Sequence, residues 1–166
     1  YCKKKDDDDM TLLALLALGA NAKCANGVLD TDVNSNKTIS GNVCLTATIF
    51  VKSGATLTVL PGTKVYGATG SAIFVLKGAK IVAEGTAAQP IVFTSLKDDG
   101  TRTPGDWGGI LLIGNATTSA ATVQQTEGTD KQPYGPGVGT DTDSSGTLKY
   151  VRVEFAGTKI ATGDEL

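Results

Sequence analysis

Ser53-Gly54-Ala55-Thr56-Leu57-Thr58-Val59-Leu60 returns as Lys77-Gly78-Ala79-Lys80-Ile81-Val82-Ala83-Glu84, an offset of 24 residues. The return is wider than the Gly-Ala pair. Ile49 to Val51 falls on Ile73 to Val75 at the same spacing, and Leu57 and Val59 fall on Ile81 and Ala83. Short β-branched runs and Gly turns repeating at this length are how a β solenoid is written, each repeat stacking on the one before. The spacing therefore predicts that Ala55 lies directly beneath Ala79. An antiparallel sandwich of short strands is the competing architecture, and local patterning alone does not exclude it. A sandwich, however, has no reason to repeat its wording.

Outward from the repeat, apolar and polar residues alternate in runs of strand length. Strands are expected at 38–43, 46–51, 56–60, 64–66, 72–76, 80–83, 91–94, 109–113, 121–124 and 148–155, with turns at Lys52-Ser53-Gly54, Pro61-Gly62, Lys77-Gly78 and Glu84-Gly85. Three short strands per turn of about two dozen residues fits a right-handed parallel β-helix. Leu57, Val59, Ile73, Val75, Ile81, Ile91 and Phe93 are then the inward ladders. Two polar, turn-rich segments, 97–108 and 126–146, break the period and are expected to protrude on one side of the coil.

The 166 residues suffice for one domain with a real core. Apolar residues make up 40% and aromatics only 5%, so that core must be aliphatic. A net charge of −2 gives no reason to expect nucleic acid. The chain has no histidine, which removes Ser-His-Asp and Cys-His catalysis and His-ligated zinc. No apolar run approaches the length that spans a bilayer.

The chain opens Tyr1-Cys2-Lys3-Lys4-Lys5-Asp6-Asp7-Asp8-Asp9. This start resembles mature surface lipoproteins of the Bacteroidota type, which implies Cys2 as a lipid anchor and residues 1–9 as an acidic tether. Residues 10–23 read either as a short helix, N-capped by Asp9, that covers the first rung of the coil, or as a signal-like segment. Residues 24–166 are then the β-helix. Cys24 and Cys44 either pair, closing a loop for roughly 3 kcal/mol in an exported protein, or stay as free thiols.

Later phrases carry a second resemblance. Pro104-Gly105-Asp106-Trp107-Gly108-Gly109-Ile110, Gly114-Asn115-Ala116 and Ser145-Gly146-Thr147-Leu148-Lys149-Tyr150-Val151-Arg152-Val153-Glu154-Phe155-Ala156-Gly157 are similar to a family of large exported Bacteroidota β-helix proteins, mostly hypothetical surface proteins or lipoproteins. In that family the phrase Gly163-Asp164-Glu165-Leu166 is followed by further coils. The resemblance implies the N-terminal part of a longer solenoid, stacked on further coils or on another subunit, and it brings no catalytic residues.

Candidate chemistry is sparse. Asp141, Asp143 and Ser145 place oxygens at alternate positions before Gly146, as a calcium loop begins. Twelve residues along stands Arg152 rather than the required glutamate, and a plain Asp/Ser turn is favoured. Asp98, Asp99, Asp106 and Glu127 with Arg102 and Arg152 offer charges for polysaccharide chemistry, but no spacing pairs them. Trp107, Asp106, Arg102 and Tyr134 lie in the interruptions as ligand-binding candidates, with Trp107 either a sugar platform or a seal of its loop. Thr46-x-Thr48 and Thr56-x-Thr58 make too short a ladder to argue for ice binding.

The expectation is an all-β parallel β-helix, exported to the outer membrane surface or beyond. It would be a non-enzymatic structural or adhesive protein that presents a face to a cell-surface glycan or protein and needs no cofactor. The alternative is a polysaccharide lyase or hydrolase whose catalytic coils lie further on.

Overall fold

The computed structural model describes residues 22–119, 121–128, 130–135, 141–161 and 164–165. Cys2, the tether and most of the expected cap (10–21) lie outside these; residues 22 and 23 are helical.

The chain winds through stacked turns. The first contains β1 (Val28–Leu29) and β2 (Lys37–Ile39), the second β3 (Asn42–Leu45), β4 (Ile49–Val51) and β5 (Thr56–Val59). The third contains β6 (Lys64–Gly67), β7 (Ala72–Val75) and β8 (Lys80–Glu84). The fourth starts with β9 (Ile91–Ser95) and β10 (Gly109–Leu112), leaves the coil for a small hairpin of β11 (Gln124–Gln125) and β12 (Pro133–Tyr134), and returns in β13 (Gly146–Lys149). β14 (Val151–Val153) begins a fifth, and β15 (Lys159–Ala161) folds antiparallel on β16 (Asp164–Glu165).

Three parallel sheets result. Sheet A runs β1-β3-β6-β9-β14, sheet B runs β4-β7-β10 and sheet C runs β2-β5-β8-β13. Val33 extends sheet B downward through a parallel bridge to Val51. This is the parallel β-helix that the repeat predicts. Ile49 pairs with Ile73 and Leu57 with Ile81, the 24-residue step. Gly54 N donates to Gly78 O at 2.9 Å and Lys80 N to Ala55 O at 3.0 Å, so Ala55 does lie under Ala79. Elsewhere the step varies, and the corners absorb the difference.

Side chains alternate in and out along each strand. Inside, Val43, Val65 and Phe93 stack in sheet A, Ile49 and Ile73 in sheet B, and Leu57 and Ile81 in sheet C, all buried. Each such residue contributes about 1.5–3 kcal/mol through its burial. Outside sheet B a second apolar cluster forms from Ala72, Phe74 and Ile113, with Phe50, Leu76 and Leu111 against it. The Phe50 and Phe74 rings pack at 5.3 Å, one turn apart.

Three strand expectations need correction. The run at 38–43 is two strands, β2 and β3, split at the Ser40-Gly41 corner. The run at 148–155 breaks at Tyr150, which turns the corner from sheet C to sheet A at φ 50°, a conformation uncommon without glycine. The run at 121–124 is no rung of the coil; its end pairs antiparallel with β12 in the hairpin.

Cys24 and Cys44 are joined as a disulfide with Cα atoms 5.0 Å apart, on the outer face of sheet A. Lys23, the residue before it, donates from Nζ to Leu96 O (2.9 Å), Lys97 O (3.0 Å) and Asp98 Oδ1 (2.7 Å). The segment that precedes the coil is thus fixed at two levels.

Candidate functional site

Both interruptions of the period fall in the fourth turn, and they fold differently. The first, between β9 and β10, closes upon itself. Lys97 Nζ sits 2.6 Å from Asp106 Oδ1, which also accepts from Thr103 Oγ1 at 2.8 Å, while Asp106 Oδ2 accepts from Thr103 N at 3.0 Å. The Lys97 ammonium, followed by the Ser95 hydroxyl, holds the Asp106 carboxyl far below the ordinary aspartate range against the cost of burial. Arg102 Nε donates to Lys97 O at 2.9 Å and its guanidinium pairs with Asp99 at 2.7 Å. The Lys23 hydrogen bond and charge lower the Asp98 carboxyl likewise. Asp106 and Arg102, candidates for ligand binding, are therefore fasteners of their own loop.

For Trp107 the geometry favours the seal of its loop over the sugar platform. Its indole is fully buried in the interior and Nε1 donates to Glu154 O at 2.8 Å. The niche is made by Gly67, an inward position of β6 with no side chain. A Cβ there would stand 2.7 Å from the ring. Neither Gly108 nor Gly109 supplies the room: Gly108 lies against Ala72 and Gly109 near Ala156. A buried ring cannot be a sugar platform.

The second interruption leaves sheet B after Ile113 and returns to sheet C at Gly146. Its base is zipped by aspartates: Asn115 N donates to Asp143 Oδ2 at 2.7 Å and Thr117 N to Asp141 Oδ1 at 3.3 Å. Gly146 follows at a point where a Cβ would come within 1.8 Å of Ile81 O, so its lack of a side chain serves strand pairing. Asp141 and Asp143, named as calcium candidates with Ser145, face backbone amides here. No group of three metal-binding side chains converges among the described residues. Arg152 meanwhile pairs with Glu154 two residues on. Burial works most strongly against the Glu154 charge, but the Arg152 hydrogen bond, the Thr94 hydroxyl and the charges of Arg152 and Arg102 together keep the carboxyl low.

Between its limbs the insertion folds its hairpin beside the outer face of sheet B. Thr126 N donates to Gln132 O at 2.9 Å and Thr126 Oγ1 accepts from Gln132 N at 2.9 Å, closing the turn. β12 then stands over the outer apolar residues with a cleft on either flank. One, of about 440 Å³, is half open and lined by Leu111, Ile113, Ala116, Thr118, Thr126 and Tyr134. The other, of about 450 Å³, shares Ile113 and meets Pro133 instead. A third, of about 300 Å³, lies at the Gly67-Thr69 corner, and its charged pair, Lys97 and Asp106, is already bonded.

Of the predicted ligand residues, Tyr134, 40% exposed, lines a cleft beside β12, and Asp106 lines the corner cleft with its carboxylate already bonded to Lys97. Sequence reasoning missed the floor of the Tyr134 cleft. A signal was present for the outer apolar cluster that Leu111 and Ile113 of this floor join, because Phe50 falls on Phe74 in the 24-residue return and both occupy outward positions where a solvated sheet would be polar.

Residues 28–166 match the family described as "Pectate-lyase like beta helix domain". No curated protein and no solved structure matches the chain. With three parallel sheets stacked through this same span, the chain belongs to the pectate-lyase-like beta helix domain family.

Proposed function

We propose that this domain is a non-enzymatic module of an exported surface β-helix protein of the Bacteroidota type, and that it binds glycan in the cleft beside Tyr134. The carrying observation is the composition of that cleft. An exposed tyrosine and two threonines stand over an apolar floor, and no carboxylate is among the lining residues described. An aromatic ring over apolar surface with hydroxyls at the rim suits a sugar ring. Glycoside hydrolysis would need two acids across the scissile bond. Export is supported by the Cys24–Cys44 disulfide, since such bonds persist in oxidising compartments. Anchoring through an acylated Cys2 completes the reading, and mass spectrometry of the native N-terminus tests it.

A glycan array combined with a reducing-end assay tests the binding function. The expected result is retention of a subset of glycans, weakened by Tyr134→Ala, with no release of reducing ends. Release of reducing ends or unsaturated products would favour the lyase or hydrolase reading, to which the family's description lends weight. An array without any retained glycan removes the glycan-binding reading.

A further inference from the structure

The disulfide encloses a complete turn. Cys24 and Cys44 stand 20 positions apart in sequence, yet their Cα atoms lie 5.0 Å apart. Everything that builds the first turn falls between them: β1, the Val33 bridge, β2 and the side-chain acceptors Asn26, Asp32 and Asn36. The turn is thus a covalently closed loop hung from β3. That strand is paired on both edges, with β1 below and β6 above, and Cys44 within it is fully buried.

The enclosed turn is also weakly held. It pairs with the second turn through two residues at β1, one at Val33 and three at β2. The second and third turns are joined through four, three and four. Tension drawn on the chain before Cys24 first meets the contacts of Lys23 Nζ with Leu96 O, Lys97 O and Asp98. Without the disulfide it would next meet the first turn's backbone bonds in succession: Cys44 N to Gly27 O, Thr46 N to Leu29 O, Lys52 N to Val33 O and Leu60 N to Ile39 O. Bonds met singly yield at lower force than bonds that share a load, so the turn would peel like a zipper.

We infer that Cys24–Cys44 is a force shunt: tension arriving from the N-terminal side passes through the two sulfurs into β3 and bypasses the first turn, which keeps the lower end of the coil covered under load. Position sets this role apart from that of a general staple. A cross-link anywhere in the coil restricts the unfolded chain. Only one that starts ahead of a turn and ends in the next takes that turn out of the load path. The anchored reading above supplies the source of the load, and mass spectrometry of the N-terminus decides that reading separately.

The test is single-molecule stretching of the whole chain between handles at its two termini, before and after reduction. Once released, 20 residues at about 3.3–3.6 Å each open to about 70 Å, so the gain over the 5.0 Å of the closed loop is about 65 Å. The oxidised protein is expected to show no such step ahead of coil unfolding. After reductant the same molecule is expected to show it, at lower force than the coil, and so is Cys24→Ser. Reduction after folding keeps the test open should that variant fail to fold. Lys23→Ala, which loses only contacts outside the loop, is expected to leave the oxidised trace without the step. A reduced protein that gives no separate step, or whose step needs as much force as the coil, has no weak first turn to protect and overturns the shunt. An early step of that length in the oxidised protein overturns it too, because the load then does not run through the sulfurs. The step appearing in oxidised Lys23→Ala would assign the protection to the lysine and overturn it likewise.

Discussion

The two ends of the coil are built from the same inward alternation, and among the described residues only the lower one is covered. At the lower end the first turn has only the short strands β1 and β2 and the Val33 bridge, yet Leu29 and Val33 are buried. Where the short pairings of β1, β2 and Val33 stop, its polar side chains supply further acceptors. Asn26 Oδ1 accepts from Asn42 N at 2.8 Å, Asp32 Oδ1 from Phe50 N at 2.9 Å and Asn36 Oδ1 from Thr56 N at 3.0 Å. One acceptor serves each of the three sheets, at β3, β4 and β5. At the upper end β10, β13 and β14 are the outermost strands of their sheets among the described residues. Leu112, Leu148 and Val153 point inward there but are 46%, 45% and 48% exposed, while their partners one turn below, Val75, Ala83 and Phe93, are at 0%. Alternation decides where a side chain points; burial requires another layer, and an edge is closed only where acceptors meet its amides.

The contrast is sharpest in the core. Leu29→Ala at the closed end should cost about 2–5 kcal/mol, the transfer loss plus an unfilled cavity. Leu148→Ala at the open end should cost about 1 kcal/mol or less, because half its surface is already in water. Denaturant titration of both variants measures the difference. Equal losses would mean that the upper rung is buried in solution, and the comparison would collapse. Next in size is the lower staple. Cys24→Ser should lower stability by about 3 kcal/mol, through the restored freedom of a loop with a sequence separation of 20. A wild-type protein whose melting temperature ignores reductant would remove this bond from the account.

Acid separates the ends in another way. The fourth turn is held by the Lys97–Asp106 contact, and the aspartate's folded pKa is depressed. A depressed carboxylate contributes stability that is fully present above its unfolded value, about pH 4, and is lost as pH falls towards the folded value. Melting temperature should therefore drop below about pH 4, and proteolysis should open the 97–108 loop first. In Asp106→Asn the loop should be open to protease already at neutral pH, with a flatter acid limb. Loop cleavage in the wild type that is as fast at neutral pH as in acid would contradict the clamp.

The fold was readable because burial in a solenoid imposes one rule at every rung. The seven predicted inward residues, from Leu57 to Phe93, are all buried. What escaped reading depended on groups far apart in sequence. The niche for Trp107 comes from Gly67, forty residues earlier, and a glycine at the end of a strand looks like any turn residue. Tyr150 takes its corner at positive φ although tyrosine has no local preference for it. The loop charges Asp106, Arg102, Asp141 and Asp143 had the residue types of a site, but their partners are backbone amides, carbonyls and near neighbours. Nothing in their spacing announced that. Tyr134 was legible only as an aromatic in an insertion, since the floor beneath it is contributed by β10.

The smallest effect tests the lower closure most directly. Asn36 makes its bond to Thr56 N at an exposed position, so water can replace part of what the side chain supplies. Asn36→Ala should cost about 1 kcal/mol, the net worth of an ordinary hydrogen bond. The local consequence is more telling than the global one. The Thr56 amide should exchange with solvent faster in the variant, whereas the Lys80 amide, bonded to Ala55 O one turn higher, should keep its protection. If both amides lose protection together, the first turn is part of one cooperative unit with the coil above it. If neither does, the carboxamide is dispensable and the lower edge is closed by other means. Only selective loss at Thr56 shows that a single side chain supplies the acceptor that β2, which begins at Lys37, does not.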